Sequence, residues 1–304
     1  MPSVLECLPR ESRVAILRLR SLGDCVLTTP ALDILKRFRP DLALGIFVED
    51  RFRELFEGHP GLAEIHPPDL AALRRFRPQL CLNFHGGTRS ALLTALCGAR
   101  YRAGFGHYRH QPVYNVRIPR AQEILGVDRK VHTAEHLASA IFFLGAPARE
   151  IPRATLAAGE GLPIPVDAPL AVLHAVAATP EKTWSAARFL ELAVHLAQTG
   201  YHPVFIGAAT DDLAPFRPYR CFQGSLADIK RLLARAALFV GNDSGPAHMA
   251  AAFGVPSVVI FGPSDPAIWG PWRAPGEVLA GPGGIAACTV PQVLEALGRL
   301  RVPV

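Results

Sequence analysis

The chain has 304 residues and a formal charge of +6, with 50% apolar and 19% charged residues, a balance that excludes a disordered segment and permits a sizeable core. No apolar run approaches the roughly 20 residues that span a bilayer, and the start MPSVLECLPRES carries acids and no apolar signal core, so a cytoplasmic protein is expected. Six scattered cysteines (Cys7, Cys25, Cys81, Cys97, Cys221, Cys288) form no C-x-x-C pair and sit at no zinc-like spacing from histidine; they read as reduced thiols, and no metal site is expected.

In chain order, residues 13–19 (RVAILRL) read as a strand rich in branched side chains, broken at Arg20-Ser21-Leu22-Gly23-Asp24 and followed by helical apolar spacing over 25–38. Pro30 inside that pattern is expected to kink the helix or mark its true start. Asp24 sits at the carboxyl end of the strand, where capping preference alone makes it an N-cap for the helix. Further strands are predicted at 42–48 and 80–83, and further helices at 52–56, 71–76, 89–96 and 131–144. The segment 100–120 (RYRAGFGHYRHQPVYNVRIPR) interrupts the rhythm and reads as a basic surface loop. Its arginines, Arg102 and Arg109 among them, and its tyrosines suit anionic sugars and phosphates as well as plain solvation. Residues 1–160 hold 22 Lys+Arg against 16 Asp+Glu, and residues 161–304 hold 10 against 10, so the whole charge excess lies in the first half.

A Pro-, Gly- and Ala-rich stretch over 150–169 reads as a linker, which places one domain over 1–160 and a second over 161–304. The second half begins afresh with a strand at 169–174, a helix at 187–198 and a strand at 202–206. Ser225 with Asp228 reads as the cap of a helix running through Ala236, and a last helix is expected over 291–300. Repeated strand-then-helix units predict an α/β chain of two doubly wound, Rossmann-like parallel sheets.

The stretch Gly241-Asn242-Asp243-Ser244-Gly245-Pro246-Ala247-His248 is the most informative. The strand at 238–240 runs into a polar turn and then a small-residue helix closed by Gly254. Ser244 or Asp243 can cap that helix, and Pro246 is tolerated in its first turn, where no N–H partner is needed. The open N–H groups and the helix dipole then face the crevice beyond the strand ends, a place suited to a diphosphate. His248, one turn in, either orients phosphate or serves the local structure. Lys182 lies in a polar loop after a strand, in a chain with only Lys36, Lys130, Lys182 and Lys230 as lysines.

The run GNDSGPAHMAAAFGVPSVVIFGPSDPAIWGPW, with LRLRSLGD and TTPAL at the front and Lys182-Thr183-Trp184 in the middle, closely resembles glycosyltransferase family 9, the ADP-heptose:lipopolysaccharide heptosyltransferases. The resemblance spans most of the chain. It implies a GT-B architecture with two domains facing across a cleft, the first taking acceptor and the second nucleotide sugar. It further implies an inverting transfer of heptose from ADP-heptose to a lipopolysaccharide inner-core acceptor, without cofactor or metal, with peripheral contact at the inner membrane. Asp24 then becomes the general base. Lys182, Asp243, Ser244, Gly245, Pro246 and His248 become donor contacts, with Gly224 and Ser225 bordering the nucleotide base, and Arg102 and Arg109 meet the anionic glycolipid. The chain departs from the family at His174-Ala175-Val176-Ala177-Ala178, where relatives carry hydroxyl and glycine contacts to phosphate. Other nucleotide sugars or glycan acceptors, or a nucleotide-sugar-binding protein without catalysis, are the competing readings. A nicotinamide enzyme is disfavoured by the lack of G-x-G-x-x-G, and a nucleic-acid partner by the lack of any binding motif.

Overall fold

Each half of the chain alternates short apolar strands with helices, and in the computed structural model, which describes residues 2–302, this becomes two six-stranded parallel sheets. The chain divides into two units, Met1–Thr155 and Leu156–Val304. The first unit contains β1 (Arg13–Leu17), β2 (Ala43–Phe47), β3 (Glu64–His66), β4 (Leu80–Asn83), β5 (Tyr101–Phe105) and β6 (Val116–Ile118). Its helices are α1 (Val4–Cys7), α2 (Leu22–Phe38), α3 (Arg53–Phe56), α4 (Leu70–Phe76), α5 (Thr88–Leu96), α6 (Ala121–Leu125) and α7 (Thr133–Phe143).

The second unit contains β7 (Leu170–His174), β8 (His202–Ile206), β9 (Arg220–Phe222), β10 (Leu238–Asn242), β11 (Ser257–Ile260) and β12 (Gly276–Leu279). Between and after them run α8 (Ala186–Gln198), α9 (Leu226–Leu233), α10 (Gly245–Phe253), α11 (Pro266–Trp269) and α12 (Val290–Arg299). The strand orders are β3-β2-β1-β4-β5-β6 and β12-β11-β10-β7-β8-β9. Counted within its own unit, each sheet has the order 3-2-1-4-5-6 of a doubly wound nucleotide-binding fold. The chain reverses direction across the sheet between the first and fourth strands, β1/β4 and β7/β10, and a crevice for ligand opens beyond their carboxyl ends. These central strands are covered on both faces, which is why Val14, Ala15, Ile16 and Leu17 form an unbroken apolar run, all four fully buried.

Pro30 neither starts nor ends a helix. α2 runs through it from Leu22 to Phe38. The proline has no N–H for the carbonyl of Val26, and the Thr29 hydroxyl donates to that carbonyl instead, at 2.9 Å. The segment 100–120 also departs from the sequence reading. It is not a loop throughout: it supplies β5 and the edge strand β6, and only residues 106–115 between them are a loop, which includes a 3-10 turn at Gln111–Val113. Its strand pairing rests on backbone bonds and on Tyr114 packed over Gly104, where a Cβ would come within 2.6 Å of the ring. The short edge strands β3, β9 and β12 were likewise not evident in the sequence.

In the second unit the core forms around Trp184, which is fully buried beside Phe189 with ring centroids 4.8 Å apart. Its indole N–H donates to the Cys288 carbonyl at 2.9 Å, tying the loop after β7 to the segment before α12. Truncating such a residue to alanine costs about 3–5 kcal/mol. Among the described residues no helix is long and apolar enough to cross a membrane.

Candidate active site

Seven of the eleven residues singled out from the sequence fall at the two points where strand order reverses. In the first unit the chain leaves β1 through Arg18, whose backbone N–H donates to the Phe47 carbonyl. Arg18 is only 6% exposed, and its guanidinium lies 3.4 Å from a carboxylate oxygen of Asp24. Asp24 is not the N-cap that capping preference suggests. Ser21 holds that position and Asp24 lies in the first turn of α2, where its other oxygen accepts from the Ser21 hydroxyl at 2.9 Å. The Arg20–Ser21 peptide bond between strand and helix is cis.

The adjoining loop after β4 is organised by buried Asn83. Its side-chain oxygen accepts from the backbone N–H groups of His85 and Gly86, and its amide donates to Thr94 and Tyr114. Gly86 adopts φ +73° and lies so close to the Tyr108 ring that a Cβ would come within 2.8 Å of it. His85 is pushed below the usual imidazole range by burial and by the charges of Arg18 and Arg20. His136, stacked on Phe105 with centroids 3.9 Å apart, is lowered to about 4 by burial, then by His107 and Arg18. Burial raises Tyr108 to about 12. A buried guanidinium is thus surrounded by groups kept neutral, with one carboxylate beside it.

In the second unit the same position carries the reverse arrangement. Asp243, nearly buried, accepts from Lys182 at 2.9 Å, and its own N–H donates to the Ile260 carbonyl. The Lys182 turn is seated by two further contacts. Asn242, fully buried, accepts from the Trp184 N–H at 3.0 Å. Gly262 meets the Glu181 carbonyl so closely that a Cβ there would lie 2.2 Å from the oxygen, so the loop after β11 closes on the turn only because it has no side chain at this point.

Ser244 occupies the N-cap position of α10, yet its side chain makes no cap bond. The hydroxyl is drawn aside by two partners, His174 Nδ1 and the Asn242 carbonyl, each at 3.0 Å. His174 ends β7, opposite Gly241 in the register, where a Cβ on Gly241 would crowd it at 3.1 Å. Burial lowers His174 to about 4, with Asp211 opposing, so the ring is neutral near pH 7. The expected serine cap is therefore absent; in the first turn of α10 Pro246 has no N–H and the Ala247 N–H donates to the Ser244 carbonyl at 3.2 Å, which leaves the N–H groups of Ser244 and Gly245 for an outside acceptor. Pro246 lies in that turn, His248 is buried one turn in, and Gly254 closes the helix with φ +74°.

The remaining sequence candidates lie elsewhere. Ser225 caps α9 in a reciprocal box with Asp228. Gly224 beside it lies under the Phe222 ring, where a Cβ would come within 2.6 Å. Arg109 is exposed in the loop after β5. Arg102 is occupied, its guanidinium donating to the Val113 and Ala99 carbonyls at 3.1 and 3.4 Å. Sequence reasoning missed Arg18, His174 and Asn242. A polar residue at the very end of an otherwise apolar strand, next to a polar turn, is the signal they share.

The family model for glycosyltransferase family 9 (heptosyltransferase) matches residues 71–292. The chain belongs to this family. The glycosyltransferase is 26% identical over 295 residues to lipopolysaccharide heptosyltransferase 1 of Pseudomonas aeruginosa, covering 85% of this chain and 81% of the relative. It is 24% identical over 294 residues to lipopolysaccharide heptosyltransferase 3 of Escherichia coli, covering 84% and 83%. Among solved structures, a family 9 glycosyltransferase of Veillonella parvula superposes with a TM-score of 0.83 at 22% identity, covering 96% of this chain and 97% of that one. Escherichia coli heptosyltransferase WaaC with ADP gives 0.78 at 20% identity, covering 95% and 99%. The two doubly wound sheets of this glycosyltransferase are thus those of the GT-B class.

Proposed function

We propose that this glycosyltransferase moves a heptose from ADP-heptose to the inner core of a lipopolysaccharide acceptor, with inversion at the anomeric carbon. The observation that carries the reading is the pairing of Lys182 with Asp243 beside an uncapped helix N-terminus at the reversal point of the second sheet. A cation and open N–H groups suit a departing diphosphate, which needs charge stabilisation more than any other group in the reaction. The similarity to lipopolysaccharide heptosyltransferases, one of them solved with ADP, supports the same choice. Lys182 and the backbone N–H groups of Ser244 and Gly245 hold the diphosphate in this reading, Asp243 orients Lys182, Pro246 and His248 shape the first turn, and Gly224 and Ser225 border the base.

Asp24 takes the proton from the acceptor hydroxyl as the bond to diphosphate breaks. Arg18 and Ser21 hold its carboxylate in place. Exposed Arg109 meets anionic groups of the glycolipid, at the cytoplasmic face of the membrane. Arg102 shapes that loop through its two carbonyl contacts. Lysine and helix N–H groups supply the positive charge, so the reading includes no resident cofactor.

The test is to incubate the protein with a panel of ADP- and UDP-sugars and core-truncated lipopolysaccharides, read by mass spectrometry. A mass gain of one heptose from ADP-heptose alone is the expected result. Transfer from another donor would overturn the donor assignment, and ADP-heptose binding without turnover would make the chain a binding protein.

A further inference from the structure

From residue 70 to residue 122 the chain contains no Asp or Glu, yet it carries nine arginines: 74, 75, 77, 89, 100, 102, 109, 117 and 120. Among the described residues none of the nine makes an ion pair. At the centre of this segment lies α5, whose outer side presents two large apolar residues one turn apart, Leu92 and Leu96, 60% and 41% exposed.

The fold gathers the charge around those leucines. On one side α4 packs against α5, and Arg74 donates to the Leu96 carbonyl at 3.1 Å while Arg89 donates to the Pro68 carbonyl at 2.9 Å. On the other side the 3-10 turn between β5 and β6 packs against α5, and His110 meets the Thr88 hydroxyl at 3.0 Å, which brings exposed Arg109 alongside. Arg100 follows the C-terminal end of the helix with its guanidinium over the Tyr101 ring, 5.2 Å from the centroid. Arg75 and Arg77 are exposed at the end of α4.

We infer that this face of α5 docks on an anionic phospholipid bilayer. Two leucines a turn apart enter the boundary between headgroups and chains, and the surrounding guanidiniums meet lipid phosphates while their stems follow the apolar contact. Charge complementarity selects the partner: a rim of arginines that make no ion pair attracts a negatively charged surface. The exposed leucines favour lipid over nucleic acid, which would be held by the arginines and would gain little from aliphatic side chains. The inference rests on this surface alone and needs neither the donor nor the base assignment.

Co-sedimentation of the full chain with phosphatidylcholine vesicles, with and without phosphatidylglycerol, tests it. Binding to the anionic vesicles only, declining as salt rises, is expected. Leu92→Gln with Leu96→Gln should weaken partitioning roughly tenfold or more, given the contribution of each buried methylene. Arg75→Gln with Arg100→Gln should weaken it by roughly fivefold per arginine. All four positions are exposed, so melting temperatures should match the parent protein. Equal binding to neutral vesicles, or variants that partition like the parent, would overturn the inference. So would a single-stranded RNA that displaces the vesicles and binds the leucine variant undiminished, since that would make the face a nucleic-acid surface.

Discussion

The two units place ion pairs of opposite polarity at their reversal points. In the first, a buried guanidinium holds a more accessible carboxylate, with the Arg18 side chain 7% exposed and Asp24 23%. In the second, a buried carboxylate holds a more accessible ammonium, with Asp243 8% exposed and Lys182 32%. Each buried member sits on or next to a central strand, and each accessible member comes from the turn or helix that follows one. One fold repeated twice therefore presents an anion in one unit and a cation in the other. That is the division of labour a sugar transfer needs: a base for the hydroxyl and a positive site for the diphosphate.

Breaking the first pair should have the largest effect. Asp24→Asn keeps the shape and the Ser21 contact but cannot accept a proton, so turnover should fall by ~10²-fold or more. It also leaves Arg18 buried without a countercharge, which lowers the melting temperature. The control is Arg18→Met with Asp24→Asn, in which stability should recover and turnover should not. Near-normal turnover in folded Asp24→Asn would make Asp24 a structural partner of Arg18 and nothing more.

Breaking the second pair should affect donor binding instead. Lys182→Ala should weaken donor affinity by ~1.5–3 kcal/mol, the usual size of a charged hydrogen bond, as measured by calorimetry. Asp243→Asn added to it relieves the unpaired buried carboxylate, so stability should return while affinity stays low. If the double variant bound donor as the parent does, the lysine would be serving Asp243 rather than the diphosphate.

The contrast between the pairs shows what could be read in advance. Asp24, Lys182 and Ser244 stand out in the sequence because each lies in a polar turn directly after an apolar run, and the alternation of strands and helices makes the doubly wound units legible. Their partners do not stand out. Arg18 reads as the end of a strand, and His174 as part of a departure from the family pattern; only the sheet brings His174 next to a serine seventy positions later. Segment 100–120 misleads for a related reason. β6 is a three-residue edge strand, and β5 between β4 and β6 carries Arg102 and Gly104; both are held by backbone pairing and by a ring over Gly104, so neither apolar alternation nor length marks them.

The smallest expected effect concerns His174, and it shows whether that ring keeps the Ser244 hydroxyl away from the N-terminus of α10. Ser244 cannot cap α10 while its hydroxyl is engaged by His174 and the Asn242 carbonyl. His174→Leu fills the buried site but frees the hydroxyl to fold back onto the helix N-terminus, where it competes with phosphate. Donor affinity should fall about fivefold, and the substitution should become nearly silent in a Ser244→Ala background, a coupling of about 1 kcal/mol. The acid stability of the protein reports on the same ring. Its folded value of about 4 lies below the ordinary 6.5, because burial disfavours the charged form. Between those values the unfolded chain binds a proton that the folded chain refuses, so this histidine lowers stability progressively as pH falls from about 6.5 towards 4. His174→Leu should remove that slope while leaving the stability above pH 7 largely unchanged. An additive double variant would show that His174 does not act through Ser244, and an unchanged acid slope would show that the ring is not held neutral by the fold.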